Sequence, residues 1–155
     1  MAMRLALYQP DIPQNLGAAI RLAACLGVAL DVIEPCGFPV DDRRIRRVSM
    51  DYFDRARVRR HASWEGFRRD RGRGRLLLFT TAGTCRFPDL AFAADDTLLF
   101  GRESAGVPPE VQGAADLSVR VPMADGLRSL NVAQTAALVL GEALRQTGGF
   151  DALSD

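Results

Sequence analysis

The chain reads as an α/β domain: a mostly parallel sheet with helices on both faces. Two observations predict this. Five short apolar runs, each bounded by turn residues, have strand lengths, and stretches with helical periodicity lie between them. Strands alternating with helices favour parallel pairing, because each helix carries the chain back across a face of the sheet. At 155 residues there is enough chain for one domain, taken as residues 1–150, with a frayed tail at 151–155.

In chain order, Arg4–Tyr8 is the first predicted strand and ends before Pro10. Gln14–Leu26 is a helix, with Leu16, Ile20, Ala23 and Ala24 at helical spacing and Gly27 as its stop. Ala29–Ile33 is the second strand. Asp41–Val48 and Ala62–Arg69 are polar helices, with Asp41 or Asp42, and Ser63, as caps. Arg75–Thr80, Thr97–Phe100 and Leu117–Val121 are the remaining strands. Pro109 suits the first turn of a short helix running to Gln112. Asn131–Gln146 is the longest helix and ends before Gly148 and Gly149. Its apolar residues, among them Val132, Ala136, Val139, Leu140 and Leu144, occupy more than one stripe. Two readings are open for it: a homodimer contact, or a deeply buried central helix.

The composition, 48% apolar and 25% charged, is that of a soluble globular protein. No segment approaches the roughly 20 apolar residues needed to span a bilayer. The N-terminal stretch lacks the form of a secretory signal, and three widely spaced cysteines suit reduced thiols. The expectation is therefore a cytoplasmic protein with no membrane partner. His61 is the only histidine and no CxxC occurs, which argues against a metal site and against a Ser-His-Asp triad.

Net charge is +1, yet its distribution is uneven. There is no lysine, and 13 of the 20 arginines lie between Arg43 and Arg75, among Tyr52, Phe53, Trp64 and Phe67. Arginine interleaved with aromatic residues suits phosphate contact and base stacking. The alternative is a solvated face in a protein that uses arginine where others use lysine.

In an open parallel sheet, ligands bind beyond the carboxyl ends of the strands. Five loops qualify, and all contain glycine: QPDIPQNLGAAIR, EPCGFP, TAGT, GRESAGVP and PMADGLRSLN. The fourth has the spacing G-x-x-x-x-G, but Val107 and Pro108 follow where a phosphate-binding loop needs Lys and Ser or Thr. The loops share Asn15, Arg21, Glu103, Ser129 and Asn131, polar residues with no core role, although Asn15 and Ser129 also read as helix caps. Few groups here titrate near neutral pH, so the difficult chemistry falls to a cofactor. A sulfonium methyl donor fits, because methyl transfer needs in-line alignment more than strong acids or bases.

NLGAAIR (Asn15–Arg21), LLFGRESAGVP (Leu98–Pro108) and VPMADGLRSLNVAQTAALVLGEALRQ (Val121–Gln146) together resemble the three motifs of SPOUT-superfamily, SpoU-type RNA ribose 2′-O-methyltransferases. IEPCGF, DDRRIRR and MDYF further resemble the minimal members that methylate the wobble nucleotide of certain tRNAs. The resemblance runs to about Gly149. It implies a deep C-terminal trefoil knot, S-adenosyl-L-methionine as cofactor, tRNA as partner, and a homodimer whose active site borrows residues from the partner chain. Carried over by motif, Phe79, Thr80, Gly101, Val121, Met123, Ser129 and Leu130 hold the cofactor. Arg21, Glu103, Asn131 and Asn15 form the catalytic set, and Arg43, Arg44, Arg46, Arg47, Arg102 and Arg128 meet RNA.

On this reading Gly101 admits the main chain to the cofactor. Glu103 either orients groups in the pocket or merely pairs with Arg102, Arg21 or Arg128. Stripping a proton from an ordinary guanidinium at neutral pH costs about 8 kcal/mol, which favours Arg21 as a phosphate clamp over a base. One departure from the family stands at Gly141, where relatives commonly carry an aromatic residue before the glutamate of the last helix. Methylation of ribosomal RNA, and a non-catalytic RNA-binding module on the same fold, are the alternatives.

Overall fold

A computed structural model describes residues 2–155. Seven parallel strands form one sheet in the order β3-β2-β1-β6-β4-β7-β5. They are β1 (Arg4–Tyr8), β2 (Ala29–Ile33), β3 (Arg57–His61), β4 (Leu76–Phe79), β5 (Cys85–Arg86), β6 (Thr97–Phe100) and β7 (Leu117–Arg120). The helices are α1 (Pro13–Cys25), α2 (Asp42–Ser49), α3 (Trp64–Asp70), α4 (Pro109–Ala114) and α5 (Val132–Thr147).

The count of five strands is thus corrected to seven. β3 was missed because Arg57, Arg59 and Arg60 are exposed and only His61 is buried, so no apolar run marks it. It is an edge strand, and charged side chains on an edge discourage pairing with another chain. β5 is only two residues long and carries no period at all.

The faces of the sheet follow from side-chain alternation. Leu5, Leu7, Leu30, Val32, Leu98 and Phe100 point to one face, where Leu16 and Ile20 of α1 and Val139 and Leu140 of α5 cover them. Ala6, Tyr8, Ile33, Leu78 and Leu99 point to the other, under Trp64 and Phe67 of α3 and Val111 of α4. Both faces are therefore buried, as a parallel sheet requires. Asp41 caps α2 by accepting from Arg44 N–H at 2.8 Å, and Ser63 caps α3 by accepting from Gly66 N–H at 3.1 Å. Gly27, with φ of 67°, follows the end of α1.

On the β1–β3 side of the sheet, Asp31 of β2 is 1% exposed. Arg4 donates to both its oxygens, at 2.7 and 2.9 Å, and His61 Nε2 lies 2.8 Å from Oδ1. This cluster ties β1, β2 and β3 together. After α5, Gly149–Ala152 forms a 3-10 turn, and Leu153 N–H donates to Phe150 O at 3.0 Å. The segment expected to fray therefore begins in a defined turn.

The strand order reverses between β1 and β6. The chain leaves β1 for α1 on one face and leaves β6 for α4 on the other. Divergence of that kind opens a crevice at the carboxyl ends, where open α/β sheets bind ligands.

Candidate active site

A cavity of about 510 Å³ occupies the carboxyl ends of β4, β6 and β7, beside this reversal. Its size lies within the roughly 300–1,000 Å³ range of small-molecule and cofactor sites. Phe79, Thr80, Gly101, Val121, Met123, Ser129 and Leu130 all line it, as do Asn15, Glu103, Asn131, Arg102 and Arg128. Phe79 and Phe100 stack beneath it with centroids 5.1 Å apart. Ile12 and Thr135 also line it, and neither was legible as a site residue from the sequence.

The glycines of the loop after β6 have a structural duty that comes before any ligand. Arg102 N–H donates to Gly106 O at 3.0 Å and Gly106 N–H donates back to Arg102 O at 2.8 Å. A Cβ on Gly101 would lie 2.7 Å from the Gly106 carbonyl carbon, and Gly106 has φ of 63°. Gly101 is needed first so that the loop can close on itself. That closure then aims Glu103 towards the cavity.

Asn131 is the N-cap of α5, and its Oδ1 accepts from Ala133 N–H at 2.9 Å and Gln134 N–H at 3.2 Å. Capping fixes which end of the amide is which. Its Nδ2 must then point away from the helix, and it donates to Asn15 Oδ1 at 3.0 Å. Asn15 in turn donates Nδ2 to Glu103 Oε1 at 3.2 Å. Glu103 Oε2 accepts from Asp11 N–H at 2.9 Å. A polarised row of hydrogen bonds thus joins the loops after β1, β6 and β7. Asn15 is not a helix cap: α1 begins without a side-chain cap, and the amide is 7% exposed and spent on this row. Ser129 is not a cap either, since Asn131 holds that position.

The other predicted residues fall elsewhere. Arg21 is exposed on α1, outside the cavity lining, with its guanidinium 4.7 Å above the Tyr52 ring. Arg43, Arg44, Arg46 and Arg47 lie exposed on α2, where Arg46 pairs with Asp54 at 2.6 Å and sits over Phe53. Arg102 is partly engaged inside the site: Nη1 lies 3.4 Å from Gln9 Oε1, and Nε lies 3.7 Å from Asp11 Oδ2. Among the described residues, no three His, Cys, Asp or Glu side chains gather as a metal-ligand group, and no helix is long and apolar enough to cross a membrane.

The cavity fits a donor with a flat base and a polar tail. Phe79, Val121 and Leu130 offer apolar walls. From Pro122 to Leu130, the backbone hydrogen bond found among the described residues is Leu127 N–H to Ala124 O at 3.4 Å. Most peptide groups of that loop are therefore free to pair with a ligand.

Comparison with known proteins decides the family. The SpoU rRNA Methylase family matches residues 2–141. The chain belongs to that family. A tRNA (cytidine(34)-2′-O)-methyltransferase of Ancylobacter novellus is 55% identical over 97% of this chain and 96% of its own length. A structure solved in work on the 2-OH methylation of C/U34 on tRNA superposes with a TM-score of 0.86 at 37% identity, covering 94% of this chain and 95% of that one. The SpoU methyltransferase AviRb from Streptomyces viridochromogenes, in complex with the cofactor AdoMet, superposes at 0.80 with 31% identity, over 94% of this chain and 60% of AviRb.

Proposed function

We propose that this SpoU-family protein transfers a methyl group from S-adenosyl-L-methionine to the ribose 2′-hydroxyl of the wobble nucleotide of tRNA, at cytidine or uridine. The observation that carries the reading is the cavity, where all seven residues expected at the cofactor line one volume beside Glu103, Asn15 and Asn131. The names of the relatives support the tRNA substrate, and the AdoMet-bound relative supports the donor. Arginine-rich α2, beside Tyr52 and Phe53, offers the RNA contact. The printed name of the relative that is 55% identical over 97% of this chain favours tRNA over the ribosomal alternative. The deep trefoil knot and the homodimer belong to the same reading. Leu138, on the outer side of α5, is 47% exposed, which leaves apolar surface for a second copy.

When bound, S-adenosyl-L-methionine supplies a methyl group on a positively charged sulfur. The chain supplies alignment. Phe79, Val121 and Leu130 hold the base, while the Val121–Leu130 loop meets the polar tail with its peptide groups. Glu103, Asn15 and Asn131 shape the floor against which the ribose hydroxyl rests. Arg21, exposed with its guanidinium above the Tyr52 ring, clamps the phosphate beside that ribose. Arg102 keeps the Glu103 loop in place, and Arg128 lies at the mouth, where RNA enters.

The test is incubation with isotope-labelled S-adenosyl-L-methionine and bulk tRNA, followed by nucleoside mass spectrometry. The reading expects label on the ribose of a wobble pyrimidine. Label on ribosomal RNA alone favours the ribosomal alternative, and RNA binding without transfer favours the non-catalytic module.

A further inference from the structure

Arg21 is exposed on α1, yet its guanidinium rests 4.7 Å from the centre of the half-buried Tyr52 ring. Tyr52 belongs to the 3-10 turn Met50–Arg55, which follows α2. Three features of the fold bring the two residues together.

The first is Gly17. A Cβ there would lie 2.3 Å from Val48 O and 2.9 Å from Val48 Cβ, so α1 and the end of α2 meet at a distance only a glycine allows. Gly17 and Arg21 stand at positions i and i+4 and share one face of α1. The second is Met50. Its φ of 57° is uncommon for a residue other than glycine, and it turns the chain out of α2 and back against α1. The third is the closure of the turn. Ala56 N–H donates to Tyr52 O at 3.0 Å, while Arg46 of α2 pairs with Asp54 at 2.6 Å and lies 4.9 Å from the centre of the Phe53 ring. Phe53 packs against the core, and Tyr52 is left facing Arg21.

A guanidinium held by its face keeps its in-plane N–H groups for a phosphate. The negative face of the ring attracts the cation, and the contact restricts a long side chain before any ligand arrives. The ring face covered in this way is closed to a base. Arg46 also lies over a ring, but one of its nitrogens is engaged by Asp54, so that pair holds the turn.

We propose that Tyr52 is the positioning residue for Arg21: its ring seats the guanidinium, and so pre-organises the grip on the phosphate beside the target ribose, without itself touching RNA. The inference deepens the tRNA reading and rests on it for the phosphate. Tyr52 does not line the donor cavity, so donor binding is independent of it.

A double-mutant cycle tests this. Affinity for tRNA is measured by filter binding for the wild type, Tyr52→Leu, Arg21→Gln and the two combined, with Tyr52→Phe as the conservative variant. Thermal unfolding checks that each variant is folded. Tyr52→Leu should weaken tRNA binding about fivefold, the size of a cation–π contact near the surface. Tyr52→Phe keeps the ring face and should recover most of that loss. In the Arg21→Gln background Tyr52→Leu should have no further effect, because no guanidinium remains to be seated. The kcat/KM for tRNA should follow the same order, while affinity for S-adenosylhomocysteine holds throughout. Wild-type tRNA affinity in Tyr52→Leu overturns the proposal. So does the same fivefold loss in both backgrounds, which would mean that Tyr52 meets RNA itself or only supports the fold. If the affinities couple as stated but no protein in the set, the wild type included, methylates tRNA, the seat stands and the proposed reaction does not.

Discussion

Asn131 donates its side-chain amide to Asn15 across 116 residues of chain, and it does so with the same group that caps α5. One residue thus serves stability and site geometry through different atoms. Asn131→Asp keeps the accepting oxygen but loses the donor to Asn15. It should unfold within about 0.5 kcal/mol of the wild type, whereas Asn131→Ala loses the cap and costs about 1 kcal/mol. Both should lose turnover. Thermal unfolding run beside a methyl-transfer assay separates the two roles, and full activity in Asn131→Asp would remove the amide from the site.

Gly101→Ala places a methyl group against the Gly106 backbone, at a separation of 2.7 Å. The Arg102–Gly106 bridge must open, and Glu103 moves with it. The expected result is at least a tenfold loss of donor affinity, about 1.4 kcal/mol, with little change in the rest of the fold. Calorimetric titration with S-adenosylhomocysteine checks it. Wild-type affinity would show that loop closure does not matter to the donor.

Arg21 lies outside the cavity, so its contribution should appear with RNA and not with the donor. Arg21→Lys keeps the charge but loses the planar fork that grips a phosphate with two hydrogen bonds. Turnover should drop by most of its value while S-adenosylhomocysteine affinity holds. Near-normal turnover would refute the clamp. Replacing Arg43, Arg44 and Arg47 together should lower the slope of log affinity for tRNA against log salt, by about one for each phosphate that is no longer neutralised.

Asp31→Ala should be the most destabilising of these changes. It leaves Arg4 and the buried His61 without their shared partner, and removing one member of a buried charged cluster costs about 3–5 kcal/mol. Urea denaturation measures it. Because Asp31 does not line the cavity, donor affinity of the remaining folded protein should be that of the wild type.

The inner strands and the ligand loops were legible in the sequence because both leave one-dimensional marks. Leu98–Phe100 is an unbroken apolar run, and Gly101, Gly106 and the Val121–Asn131 stretch carry residues that no core requires. Asp41 and Ser63 were readable as caps because a cap acts on the turn beside it. What escaped was anything set by distant partners. Asp11 was not singled out in the sequence, because its N–H meets Glu103 only where the loop after β6 is brought against it. Arg102 looked like an RNA contact, yet its guanidinium faces Gln9 and Asp11. β3 lacked an apolar signature because it has one neighbouring strand and turns arginines outward.

In the proposed function the methyl donor sits in the cavity at the ends of β4, β6 and β7, and every role proposed for the surrounding residues depends on it. Calorimetric titration of the pure protein with S-adenosylhomocysteine tests this most directly. The prediction is saturable binding of one molecule per chain, weakened when Leu130 or Phe79 is cut back to alanine. Absence of saturable binding by the wild-type protein would contradict it.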